Sequence, residues 1–176
     1  FHRTSILDYY TLKKYTLQKG GPPIPPMLPK DRIEILKNMK ECFGSGANTA
    51  IETEMLNMTR SERGPPYIDW YLLINNNNIV GQCSLKYVKY TYLLDPPQAG
   101  RSFSIGNNSE PIIENVCVPR DQRKGHCKIL ISKILSELRD RNIKKVSLLV
   151  HWQNELFNPG AVMCYYSRGF RFRIND

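Results

Sequence analysis

The stretch P-R-D-Q-R-K-G-H-C-K-I-L, Pro119 to Leu130, joins a glycine, a knot of cations and the start of an apolar periodicity. Those residue types in that order suit anion binding. The start of a helix presents backbone N–H groups without carbonyl partners and the positive end of the helix dipole. Gly125 permits close approach to the backbone, and Arg123, Lys124 and Lys128 surround it with positive charge. His126 lies in the same turn and suits the anion site better than the chemistry. Upstream, Ile112 to Val118 is apolar enough for a buried strand. Downstream, Ile129, Leu130, Ile134, Leu135 and Leu138 recur at helical spacing. A strand, a basic glycine turn and an amphipathic helix point to a ligand that carries a pyrophosphate. Neither G-x-x-x-x-G-K-[ST] nor G-x-G-x-x-G occurs, which sets aside the P-loop and the dinucleotide fingerprint.

Gln122, Gly125 and Cys127 occupy the marked positions of [Q/R]-x-x-G-x-[G/A], with cysteine where a smaller residue is usual. Further on, Asn158, Ala161, Tyr165, Gly169 and Phe170 complete N-x-x-A-x-x-x-Y-x-x-x-G-F. Between them Lys145 to Trp152 reads as a strand, and Ile79-Val80-Gly81 opens another after a turn. In these motifs, from about Tyr67 to Phe170, the chain resembles the GCN5-related N-acetyltransferases (GNAT).

That resemblance implies a single α/β domain with a mixed, splayed β-sheet flanked by about four helices. It implies acetyl-CoA as acyl donor, no metal, and a small-molecule or peptide amine as acceptor. The cofactor-binding residues would be Val116, Cys117 and Val118 along the pantetheine arm. Gln122, Arg123, Lys124, Gly125, His126 and Cys127 would sit around the pyrophosphate, with Asn154 or Asn158 as the asparagine after the next strand. Transfer to an amine needs a proton acceptor, donors for the thioester oxygen, and an acid for the leaving thiolate. Tyr165 matches the family's tyrosine at sulfur, with Tyr166 as the neighbouring alternative. For the base, Glu114 in an otherwise apolar strand competes with His151 and with a water chain; its side chain would either reach solvent at the sheet edge or face the cleft, where burial would raise its carboxyl toward a useful range. The family usually closes with one more strand, and Asp176 comes before it. The expectation is a last strand that is missing, dispensed with or supplied by a partner.

The elements that must position these residues can be traced along the chain. Leu7 to Leu17 suits an edge strand. Gly20 to Pro29 is a stiff proline-rich connector. Asp31 to Cys42 reads as a helix with Ile33, Leu36 and Met39 on one face, and Asn48 or Thr49 caps a second helix to about Thr59. Tyr67 to Ile74 and Ile79 to Tyr90 are strands joined at Asn75 to Asn78, because asparagine tolerates positive φ. Asp95 to Pro111 is read as a long polar loop.

Composition sets the outer bounds. A chain of 176 residues, 41% hydrophobic, can bury one good core. No apolar stretch approaches the ~20 residues needed to cross a bilayer, so no membrane partner is expected. Five cysteines without a C-x-x-C favour reduced thiols, hence the cytoplasm or another reducing compartment. The net charge of +9 raises nucleic-acid binding as a rival. Its cations are scattered, however, and the interleaved Tyr87, Lys89, Tyr90 and Tyr92 suit a half-buried strand as well as a stacking platform. A non-catalytic acyl-CoA-binding domain is the other alternative.

Overall fold

The sheet is built from antiparallel neighbours first and a parallel crossover last. The computed structural model describes residues 9–18, 21–44, 67–87, 89–91, 102–104, 111–119, 125–148 and 159–171. In chain order these form β1 (Thr11–Gln18), α1 (Pro29–Phe43), β2 (Tyr67–Asn75), β3 (Asn78–Tyr87), β4 (Lys89–Thr91) and β5 (Ser102–Ser104). Then follow β6 (Pro111–Cys117), α2 (His126–Asp140), β7 (Ser147–Leu148) and α3 (Pro159–Ser167). The main sheet has the order β1-β2-β3-β6-β7, and β4 pairs β5 in a separate ribbon. Neighbours are antiparallel except β6 and β7, which run parallel. A parallel pair needs a long crossover, and α2 supplies it.

Alternation along the strands divides the core in two. Under α2 and α3 lie Tyr71, Leu73, Cys83, Leu85 and Ile113, packed against Leu130, Ile131, Ile134, Cys164 and Tyr165. On the opposite face Tyr15, Leu17, Ile68, Trp70 and Leu72 pack against Ile35 and Met39 of α1. The result is a mixed, open sheet with helices on both faces, as the motifs imply. The second helix expected before Thr59 lies outside the described residues.

Local chemistry explains the boundaries. Asn76 and Asn77 both take positive φ, at 50° and 64°, and close the β2–β3 hairpin. α1 begins at Pro29, inside the expected connector, because proline is well suited to the first helical turn. Its buried side is Asp31, Ile35, Asn38 and Met39, whereas Ile33 is 69% exposed, so the expected apolar face is rotated. The connector also folds back: Thr16 and Ile24 exchange backbone hydrogen bonds of 2.8 and 2.9 Å. The expected polar loop contains β5, which is short and polar enough to escape a periodicity test.

Candidate active site

β6 carries a break in register against β3. Its Glu114 lies opposite Ser84 of β3, and its Cys117 lies opposite Gln82. Cys83 alone therefore spans Asn115 and Val116. This is a β-bulge, with Asn115 at φ 56°. Asparagine is among the few residues that visit this region readily. Its side-chain Nδ2 donates to Ser84 Oγ at 3.1 Å, and Ser84 Oγ donates to the Glu114 carbonyl at 3.3 Å. A bulge takes a residue out of the ladder and redirects its backbone groups. Sequence reasoning missed it, although an asparagine inside an apolar strand was the available signal.

Beyond the bulge β6 runs to Cys117, while its described pairing with β7 is confined to Ile112 with Ser147 and Ile113 with Leu148. Val116 and Val118 are half-buried on this stretch, and Cys117 turns to the α1 face. The strand leads toward Gly125, which takes φ 76° immediately before α2. The first α2 amide bonded back to this turn is Ile129 N–H, to the Gly125 carbonyl at 3.2 Å. The amides of residues 126 to 128 precede it, at the positive end of the helix. No acidic residue occupies this first turn. A Cβ placed on Gly125 would meet nothing within 4 Å among the described residues, which leaves space beside this backbone. That space fits a phosphate group beside the backbone.

His126 points inward. It is buried, and its Nε2 lies 3.1 Å from the Tyr10 hydroxyl, with the two rings edge to face at 5.4 Å. The next residue is anchored too, since Cys127 forms a disulfide with Cys164 of α3. A second disulfide joins Cys42, near the end of α1, to Cys117 on β6. The expectation of reduced thiols is thereby corrected. The partners are 37 and 75 residues apart, and only the tertiary fold brings their Cα atoms to 6.3 and 5.9 Å. Cys83 alone among the described cysteines is free, and it is buried. The cysteine argument for a reducing compartment falls with this pairing.

The two candidate tyrosines separate cleanly. Tyr165 is buried among the residues beneath α2 and α3, in the same cluster as Cys83, which faces the bulge. Burial pushes its phenol well above the ordinary value of 10, and nearby Cys83 adds to the shift. The hydroxyl therefore stays protonated at neutral pH. Tyr166 is 47% exposed and lies under the Arg171 guanidinium, 4.1 Å from its ring centroid. A cavity of about 640 Å³ opens beside Tyr165, bordered by Leu135, Ser147, Leu148 and Phe170.

Glu114 is buried, but not as a lone carboxylate. Lys86 Nζ lies 2.7 Å from its Oε2. The carboxylate expected from sequence to stand alone is thus half of a buried ion pair across β3 and β6. Thus the bulge, the half-buried valines, Gly125 and Tyr165 belong to one region centred on β6. Gln122, Arg123, Lys124, His151, Asn154 and Asn158 lie outside the described residues. No group of metal-ligating side chains occurs among the described residues.

No family model matches the sequence, and no curated protein matches it. Solved structures do match the fold. An aminoglycoside 6'-N-acetyltransferase from Acinetobacter haemolyticus gives a TM-score of 0.58 at 10% identity, covering 94% of each chain. The chain has the fold of the GCN5-related N-acetyltransferases. Two further GNAT structures agree. A ribosomal-protein-alanine N-acetyltransferase from Brucella melitensis biovar Abortus 2308 gives 0.55 at 14% identity, over 94% of this chain and 96% of that one. The enzyme AAC(6')-Iy, in complex with the bisubstrate analog CoA-S-monomethyl-acetylneamine, gives 0.58 at 9% identity over 95% of each chain. None of the described helices is long and apolar enough to cross a membrane.

Proposed function

We propose that this chain is an N-acetyltransferase that takes an acetyl group from acetyl-CoA and transfers it to a primary amine. The observation that carries the reading is the bulge at Asn115–Val116 on a strand that leads to the left-handed Gly125 turn of α2, within a GNAT fold. When bound, acetyl-CoA supplies the thioester. Backbone amides at the start of α2 receive its pyrophosphate, and the motif residues Gln122, Arg123 and Lys124 are proposed to bind it with them. Val116 to Val118 offer main-chain groups to the pantetheine arm in the manner of an added strand. Amides freed from the ladder near the bulge are suited to the thioester oxygen as negative charge develops there.

Tyr165 is the proposed acid at sulfur. Its burial favours the protonated phenol, the form an acid needs. The proton acceptor is Glu114, His151, or a water relay. The Lys86 ammonium, 2.7 Å from Glu114 Oε2, competes with the proton that Glu114 would take. That same ion pair favours a second reading, an acyl-CoA-binding domain without turnover. Solved relatives name acceptors as different as an aminoglycoside and a ribosomal protein. The acceptor proposed here is accordingly a primary amine, small molecule or peptide, and no narrower class.

A thermal shift with acetyl-CoA and CoA, against ATP as control, tests the donor. At a hundredfold excess over Kd, binding should add about 2.7 kcal/mol of stability. A shift with both CoA forms and none with ATP is expected; no shift in folded protein would overturn the donor assignment. Release of free thiol in an amine screen then separates the transferase from a binding domain.

A further inference from the structure

The turn that leads into α2 is held from a part of the chain no acetyltransferase motif touches. Tyr10 immediately precedes β1. Its neighbours are fixed on both sides: Asn75 Nδ2 donates to the Tyr9 carbonyl at 3.2 Å, and Thr11 pairs with Ile74 in the β1–β2 ladder. From this anchored position the Tyr10 ring packs against the residues beneath α2, and its hydroxyl meets His126 Nε2 at 3.1 Å. His126 is the first residue of α2 and follows Gly125 directly. With no side chain and a positive φ, Gly125 is the softest link in this stretch of backbone. The direction of the amides after it depends on what holds residue 126.

We propose that Tyr10 is a positioning residue for the acyl-CoA phosphate turn, acting through His126. The inference rests on the proposed function and adds a residue to it. Either imidazole tautomer allows the contact, because the tyrosine hydroxyl can donate to Nε2 or accept from Nε2–H. A hydrogen bond between the residue before β1 and the first helical residue removes freedom that CoA binding would otherwise have to remove. Tyr10 therefore acts on donor affinity and not on the acetyl-transfer step. Cys127, bridged to Cys164, restrains the following residue from the α3 side. Two consecutive residues after the glycine are thus tied to two different elements.

The test is the CoA dissociation constant, measured by calorimetry on the full chain for wild type, Tyr10→Phe, His126→Phe and the double variant. Tyr10→Phe keeps the ring and its packing, so the ligand-free melting temperature should hold within a degree or two. Its CoA affinity should fall roughly two- to tenfold, because binding must then order the turn that this hydrogen bond held. In the His126→Phe background the same change should cost nothing further, because the route from Tyr10 to the turn is already cut. With an acetylated amine identified, KM for acetyl-CoA should rise in Tyr10→Phe while kcat holds. A folded Tyr10→Phe that binds CoA as wild type does would overturn the positioning role and leave the transferase reading intact. So would an equal loss in the His126→Phe background. Wild-type protein that fails to bind CoA would instead overturn the function on which the role rests.

Discussion

Lys86 Nζ lies 2.7 Å from Glu114 Oε2, and both side chains are almost fully buried. The pair is diagonal across β3 and β6, since Ser84 is the residue directly opposite Glu114 and Ile112 is opposite Lys86. Removing two charges from water costs several kcal/mol each, and their attraction offsets that cost only while both are present. Lys86→Met should therefore destabilise the protein by about 3–5 kcal/mol. Adding Glu114→Gln to it should recover much of the loss. Urea unfolding of wild type and the two variants checks this. Equal midpoints for wild type and Lys86→Met would show that the pair has little energetic role.

The disulfide assignment can be read by counting thiols. In denaturant without reductant, Cys83 alone should react with a thiol reagent, and all five cysteines should react after reduction. Each bridge should contribute about 2–4 kcal/mol, so reduced protein should unfold at clearly lower urea. Five reactive thiols before reduction would remove both bridges.

Much of the fold was legible because its signals are local. The asparagines at the β2–β3 turn, the apolar run of β6 and the helical spacing after Gly125 each follow from a few neighbouring residues. What escaped depends on register or on distance along the chain. The bulge at Asn115 appears only when β6 is laid against β3. Lys86 meets Glu114 only through that same pairing, which changes how the carboxylate must be read. The cysteine partners, and the contact between Tyr10 and His126 across 116 residues, are products of tertiary packing. At α1 the apolar spacing was ambiguous, because polar Asp31 and Asn38 take buried positions with partners of their own.

Asp31 predicts how the protein responds to acid. It lies in the first turn of α1 and accepts hydrogen bonds from Lys13 at 2.7 Å and from Tyr15 at 2.5 Å. Burial alone would raise its carboxyl, but these bonds and the Lys13 charge outweigh it and hold the group below its ordinary 3.8. A carboxyl lowered in the folded state stabilises fully above its unfolded pKa, and the benefit disappears as pH falls toward the folded value. Asp31→Asn should cost about 2 kcal/mol at neutral pH. It should also lose less stability than wild type on going below pH 4. Parallel pH–stability curves for the two proteins would exclude Asp31 from the acid response.

Tyr165 predicts both an alkaline limit and a rate. Burial raises its phenol above 10 and the Cys83 thiol above its ordinary 9.0. Groups raised in the folded state stabilise fully below their unfolded pKa values, and that stability is lost as pH climbs past them. Stability should therefore hold to about pH 9 and fall beyond it. Tyr165→Phe should soften the fall, because one of the two groups no longer ionises in the unfolded chain. As the proposed acid at sulfur, the hydroxyl should also matter to turnover by roughly a hundredfold. Its removal should leave CoA affinity near wild type, since the proposed phosphate turn lies at the start of α2 and Tyr165 lies on α3. A Tyr165→Phe enzyme with wild-type kcat and an altered alkaline limb would make this tyrosine a packing residue and place the acid on another group.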